Sequence, residues 1–132
     1  MYLDDGKTYE YLKGHYIHRN FNFTSGNFIS TSFNNEQVQD NEKNYIKSND
    51  DVRIERIIVL GVDKSPKKII GYYNDLIDDK KELKFSLGGI NDIKGIVSTS
   101  IGISVEEISK DIIIIRDPKL LISRDWTIEF VN

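Results

Sequence analysis

The chain has 132 residues, 18 basic against 21 acidic side chains, no cysteine and no alanine; 21 isoleucines, 7 valines and 5 threonines make a quarter of it β-branched. That length excludes a (β/α)8 barrel, which needs about 250 residues, and the even spread of charge leaves no basic stripe to meet nucleic acid. Missing cysteine removes disulfide scaffolds and thiolate zinc sites. Missing alanine together with abundant β-branching disfavours a helical bundle and favours strands. Ile, Asn and Lys together supply 45 residues, a bias that AT-rich codons also produce. No signal peptide follows Met1, and the longest apolar runs, 57–60 and 112–115, are too short to span a bilayer. A soluble globular chain with no membrane partner is expected.

In chain order, Asp4-Asp5-Gly6 is a turn signal between residues 2–3 and 8–12. From 15 to 23, Ile17, Phe21 and Phe23 alternate with His18, Asn20 and Asn22, the period of a half-buried strand. Ser25-Gly26-Asn27 turns the chain and 28–33 returns it. Residues 34–51 hold only Val38, Tyr45 and Ile46 as apolar side chains, which predicts a mobile loop. Residues 52–62 form a strong strand, continuous at Ile57-Ile58-Val59-Leu60 and suited to cover on both faces. Strands follow at 68–73 and 83–87, separated by a charged connection.

Residues 88–110 read as an irregular Gly-rich insertion, with a strand at 96–101 and a helical turn after the Ser104/Glu107 capping spacing. A buried strand at 111–116 and an alternating one at 125–131, with Trp126, Ile128 and Phe130 in phase, close the chain. Eight to ten short strands in one domain over 1–132 predict an all-β, two-sheet antiparallel sandwich.

Chemistry is sparse. His15 and His18 lie on opposite faces of one strand and cannot share a metal. The pairs Asp4-Asp5, Asp50-Asp51 and Asp78-Asp79 fall at turns, where aspartate bonds its own backbone. Glycosidase chemistry needs two carboxylates roughly 5 to 10 Å apart across a sugar, and 21 acidic residues single out no pair. Gly88 to Gly95 lacks the Lys-Ser/Thr ending of a phosphate loop. No catalytic, cofactor-binding or metal residue is therefore assigned, and no cofactor is expected. Asn22-Phe23-Thr24 is a candidate N-glycosylation sequon on the outward phase of its strand. Tyr16, Tyr72, Tyr73 and Trp126 are candidates to stack on sugars, with Trp126 expected in the core.

Six segments taken in order carry a resemblance: YLDDG (2–6) with Thr8 and Tyr11, YIHRNFNF (16–23), SGNFIS (25–30), IERIIVLGV (54–62), IIIIRDP (112–118) and SRDWTIEF (123–130). Together they resemble the distal C-terminal β-sandwich of family 31 glycoside hydrolases, in their glucosidase II branch. Residues 34–51 and 78–110 depart from that pattern, and the family's catalytic aspartates belong to a barrel this chain lacks.

The resemblance implies an accessory domain, inactive alone, of an α-glucosidase that removes terminal α-linked glucose and trims N-glycans. It implies an endoplasmic-reticulum lumen, the parent glycosidase's other domains as partners, a glucosidase II β subunit as a further one, and oligosaccharide reached only through the parent. A free-standing carbohydrate-binding sandwich, or a protein-interaction module using residues 34–51 as an arm, is the alternative.

Overall fold

A computed structural model describes residues 1–33, 40–62, 64–88 and 112–132. Nine strands are described: β1 (Tyr2–Leu3), β2 (Ile17–Thr24), β3 (Asn27–Ser32), β4 (Arg56–Val59), β5 (Lys68–Tyr73), β6 (Lys81–Leu83), β7 (Phe85–Gly88), β8 (Ile112–Arg116) and β9 (Trp126–Val131), with one α-helix, α1 (Asp40–Ser48). Six strands form one sheet in the order β1-β2-β3-β9-β5-β6 and three form the other, β4-β8-β7. Every pairing is antiparallel. The all-β two-sheet architecture predicted from alternation is the one observed.

Register explains the faces. Phe21 lies opposite Ser30, Ser30 opposite Trp126 and Trp126 opposite Tyr73, so these four project to the inner face of the large sheet. Trp126 is fully buried there; Phe28 meets it edge-on at 5.4 Å between centroids and Phe21 at 5.9 Å. The small sheet answers with Ile57, Ile113 and Ile115 from its inner phase. Its other phase, Ile112 and Ile114 with Ile58 and Leu60, forms a second apolar cluster. The continuous isoleucine runs thus occupy strands with apolar contacts on both faces, as expected. Regular strand covers only Arg56–Val59; residues 52–55 instead bond irregularly to 117–122, as in Ile54 N to Leu120 O at 2.9 Å and Ile122 N to Val52 O at 2.9 Å.

Three expectations are corrected. Residues 8–12 do not pair with β1, which bonds β2 instead. Asp5 accepts the backbone N–H groups of Lys7 and Thr8 at 3.1 Å and the Thr8 hydroxyl at 2.6 Å. Thr8 Oγ1 then accepts from Glu10 N at 3.3 Å, and these local bonds wind Glu10–Lys13 into a 3₁₀ turn. Gly14, at φ 88°, closes it.

The second correction concerns the predicted loop 34–51: its residues 40–48 form α1, while 34–39 lie outside the described residues. The helix packs against the start of the chain: the Tyr45 ring sits 6.2 Å from that of His15 and stands near Tyr2, Asp4 and Asp5. Lys47 in the last turn also suits the helix dipole.

The third is the predicted strand 83–87, which is two strands in different sheets divided at Lys84. Leu83 packs so closely over Gly71 that a Cβ there would lie 2.9 Å from its Cδ1. The strand and capping box expected within 88–110 lie outside the described residues, except Gly88, which ends β7.

Candidate interaction surface

The even phase of β2 faces away from the core. Tyr2 pairs directly with His18 across β1 and β2, which places both rings on that outer face. Tyr16 stacks on Tyr2 at 5.3 Å and 26°, His18 meets Tyr2 edge-on at 5.8 Å, and Phe33 stacks on His18 at 4.2 Å and 16°. Four rings therefore run in one continuous ladder across the end of the large sheet. Tyr11 and Tyr45 stand beside Tyr2, and Tyr9 lies 6.2 Å from Tyr11. Tyr9 is 77% exposed and Leu12 73%, with Met1, Tyr2 and Phe33 also open to solvent. So concentrated an apolar surface marks a contact site more often than a bare monomer face.

Its electrostatics are those of a surface rather than a reaction centre. Burial, followed by the charges of Asp4 and Asp5, raises the Tyr45 phenol above its ordinary value. Hydrogen bonds from the Thr8 hydroxyl and from the Thr8 and Lys7 N–H groups hold Asp5 below the usual carboxylate range. Both aspartates of this pair serve the turn, Asp4 accepting Gly6 N at 2.7 Å. The 78–79 pair also falls at a turn, closed by the main-chain bond from Asp79 N to Leu76 O at 3.0 Å. His15 lies before β2, 4.0 Å from Glu10, while His18 sits in the ladder, so the two histidines take different neighbours. Among the described residues no three His, Asp or Glu side chains gather to hold a metal.

The remaining sugar-stacking candidates are occupied. Trp126 is core. Tyr73 faces inward, its hydroxyl donating to Lys119 O at 3.3 Å and accepting from Leu121 N at 3.0 Å, with the Arg124 guanidinium 3.8 Å over its ring. Tyr72 faces outward, donates to Glu129 Oε1 at 2.9 Å and carries Lys80 Nζ 4.6 Å over its ring. Both tyrosines line an open groove of about 500 Å³ that also holds Arg116, Asp117 and Lys119. Cations therefore cover one face of each ring, the place a stacked sugar would compete for. Burial first raises the Tyr72 phenol, and the bond to Glu129 adds to it; a tyrosine so shifted is a poorer nucleophile.

Asn22 is exposed on β2, and the Thr24 hydroxyl donates to its amide oxygen at 3.0 Å. The aromatic ladder escaped the sequence reading because its rings come from residues 2, 16, 18 and 33. The one signal available was the even phase shared by Tyr16 and His18.

The fold and surface define a two-sheet antiparallel sandwich with an exposed aromatic end. Comparison with known proteins sharpens this. No family model matches the chain. It is 28% identical over 131 residues, 99% of its length, to a probable glucan 1,3-alpha-glucosidase of Arabidopsis thaliana. It is 31% identical over 128 residues, 97% of its length, to a protein of the same description from Oryza sativa subsp. japonica. The chain spans 12% of the length of each of these curated relatives.

Among solved structures, it superposes on the DNJ-bound glucosidase II alpha subunit with a TM-score of 0.67 and 19% identity. It also matches the ER glucosidase II heterodimeric complex of catalytic subunit and regulatory-subunit binding domain, with a TM-score of 0.66 and 19% identity. Each match covers 98% of this chain and 12% of the other. The chain is thus homologous to a domain-sized part of the α-glucosidases, in agreement with the resemblance its motifs carry.

Proposed function

We propose that this chain is the C-terminal accessory β-sandwich of a family 31 α-glucosidase of glucosidase II type. The observation that carries the reading is the near end-to-end match to a segment amounting to 12% of such enzymes. In this reading the whole enzyme hydrolyses terminal α-linked glucose and trims N-glycans in the endoplasmic-reticulum lumen, beside a regulatory β subunit. The domain supplies no catalytic group; it packs against the enzyme's other domains, and the Tyr16-Tyr2-His18-Phe33 ladder is its contact face. Purified chain incubated with 4-nitrophenyl α-glucoside should show no turnover above buffer. Sustained release of nitrophenol, lost on heat denaturation, overturns the accessory role.

The same ladder favours a second reading, a free-standing sugar-binding sandwich. The ring geometry weighs against it, since Tyr16 stacks on Tyr2 and Phe33 on His18, covering faces a sugar would use. Titration with maltose distinguishes them: ring-proton shifts at millimolar sugar support binding, and none support docking.

A further inference from the structure

Asn22-Phe23-Thr24 is the one Asn-X-Ser/Thr triplet in the chain, and the fold gives it an unusual setting. β1 pairs with β2 only at Leu3↔Ile17 and Tyr2↔His18. Beyond His18, no described strand pairs with the outer side of β2, while its inner side is bonded to β3 through Thr24. Among the described residues, 20–24 therefore form an open sheet edge. Such edges template pairing with other chains unless something blocks them. Asn20, Asn22 and Thr24 share the outward phase and all three are exposed. Strand geometry sets Asn22 and Thr24 side by side, and the hydroxyl donates to the amide oxygen at 3.0 Å. Among the described residues nothing hydrogen-bonds the amide nitrogen.

We propose that Asn22 is an N-glycosylation site whose glycan shields the open edge of β2. The inference rests on the lumenal reading above, because the modification requires a secretory compartment. In the transfer, the amide nitrogen loses one proton to a base of the transferring enzyme and bonds the anomeric carbon of a lipid-pyrophosphate oligosaccharide. The anomeric C–O bond to the pyrophosphate breaks, and its electron pair leaves with the lipid pyrophosphate. A glycan there lies about 13 Å along the strand from His18, four residues at ~3.3 Å each, and so leaves the aromatic ladder open.

The test expresses the full chain behind a cleavable secretory leader in yeast, beside Asn22→Gln, Thr24→Ala and Thr24→Ser. Wild type and Thr24→Ser should migrate slowly and shift down with peptide N-glycosidase, which converts Asn22 to aspartate in the recovered peptide. Asn22→Gln and Thr24→Ala should lose the shift. Secreted, folded wild type with unmodified Asn22 overturns the site. Light scattering then tests shielding: the enzyme-deglycosylated chain should associate at concentrations where the glycosylated one stays monomeric, and identical behaviour overturns that role. Neither failure touches the α-glucosidase reading, which the glucoside assay judges separately.

Discussion

Arg19 and Asp125 meet at 2.6 Å across 106 positions of sequence, with the arginine side chain 3% exposed and the aspartate 43%. The guanidinium also reaches Ser30 Oγ at 3.2 Å and Arg124 O at 2.8 Å, and Asp125 accepts Ser32 N at 3.0 Å. This one cluster joins β2, β3 and the entry to β9. Two of the motifs behind the family resemblance, at 16–23 and 123–130, contribute its charged members.

The asymmetry in exposure makes the pair's two halves unequal. Asp125→Ala leaves a buried guanidinium without its counter-charge and should cost about 3 kcal/mol. Arg19→Met keeps most of the buried volume and frees a carboxylate already facing water, so about 1 to 2 kcal/mol is expected. Urea unfolding of both variants checks the order; equal costs would show that Asp125 acts mainly through Ser32.

Trp126 fills the core, yet its indole N–H is buried with no hydrogen-bond partner among the described residues. Trp126→Phe removes that unsatisfied donor, which offsets part of the lost packing, and should cost about 1 to 2 kcal/mol. Trp126→Ala should cost about 3 to 5 kcal/mol. Calorimetry of the two separates packing from polarity; a phenylalanine variant as damaged as the alanine one defeats the argument.

The β2–β3 turn holds Ser25 at φ 52° and Gly26 at φ 77°. Two positive φ values define a type I′ turn, which prefers Asn-Gly. Ser25→Asn should raise stability by about 0.5 to 1 kcal/mol, and a melting temperature unchanged or lower would refute the turn assignment.

Glu129 carries a pH dependence. Burial would raise its carboxyl, but the hydrogen bonds from Tyr72 and Lys80 and the lysine's charge outweigh that, leaving it below its ordinary 4.5. A folded pKa below the unfolded one means stability that is full above about pH 4.5 and lost as pH falls through the folded value. Glu129→Gln should therefore melt lower than wild type at neutral pH, and the gap should close in acid. A gap independent of pH would assign the loss to packing.

Much of the fold was legible because burial on one side imposes a period of two. Residues 15–23 and 125–131 showed it, and Phe21 of the first packs on Trp126 of the second. The ladder was illegible for the opposite reason: Tyr2, Tyr16, His18 and Phe33 belong to no single periodic segment, and it takes the β1 pairing on one side of β2 and the Phe33 N to His18 O bond on the other to bring them together. The α1 segment misled because its apolar content is too low to signal order. Contacts with His15 and Tyr2, invisible in a linear reading, anchor it. At 8–12, the side-chain bonds of Asp5 and Thr8 overrode the hairpin that Asp-Gly suggested.

The sequence alone left no room for a (β/α)8 barrel within these 132 residues, called for two antiparallel sheets, and carried the α-glucosidase resemblance in six motifs. Those conclusions depend on alternation and local residue types, which short-range sterics and one-sided burial write directly into a chain. Tertiary structure decided which strands neighbour which, that Arg19 seeks Asp125, and that no described strand covers the edge of β2 bearing Asn22. Pairing partners are chosen by the packing of whole sheets, and no local pattern records that choice.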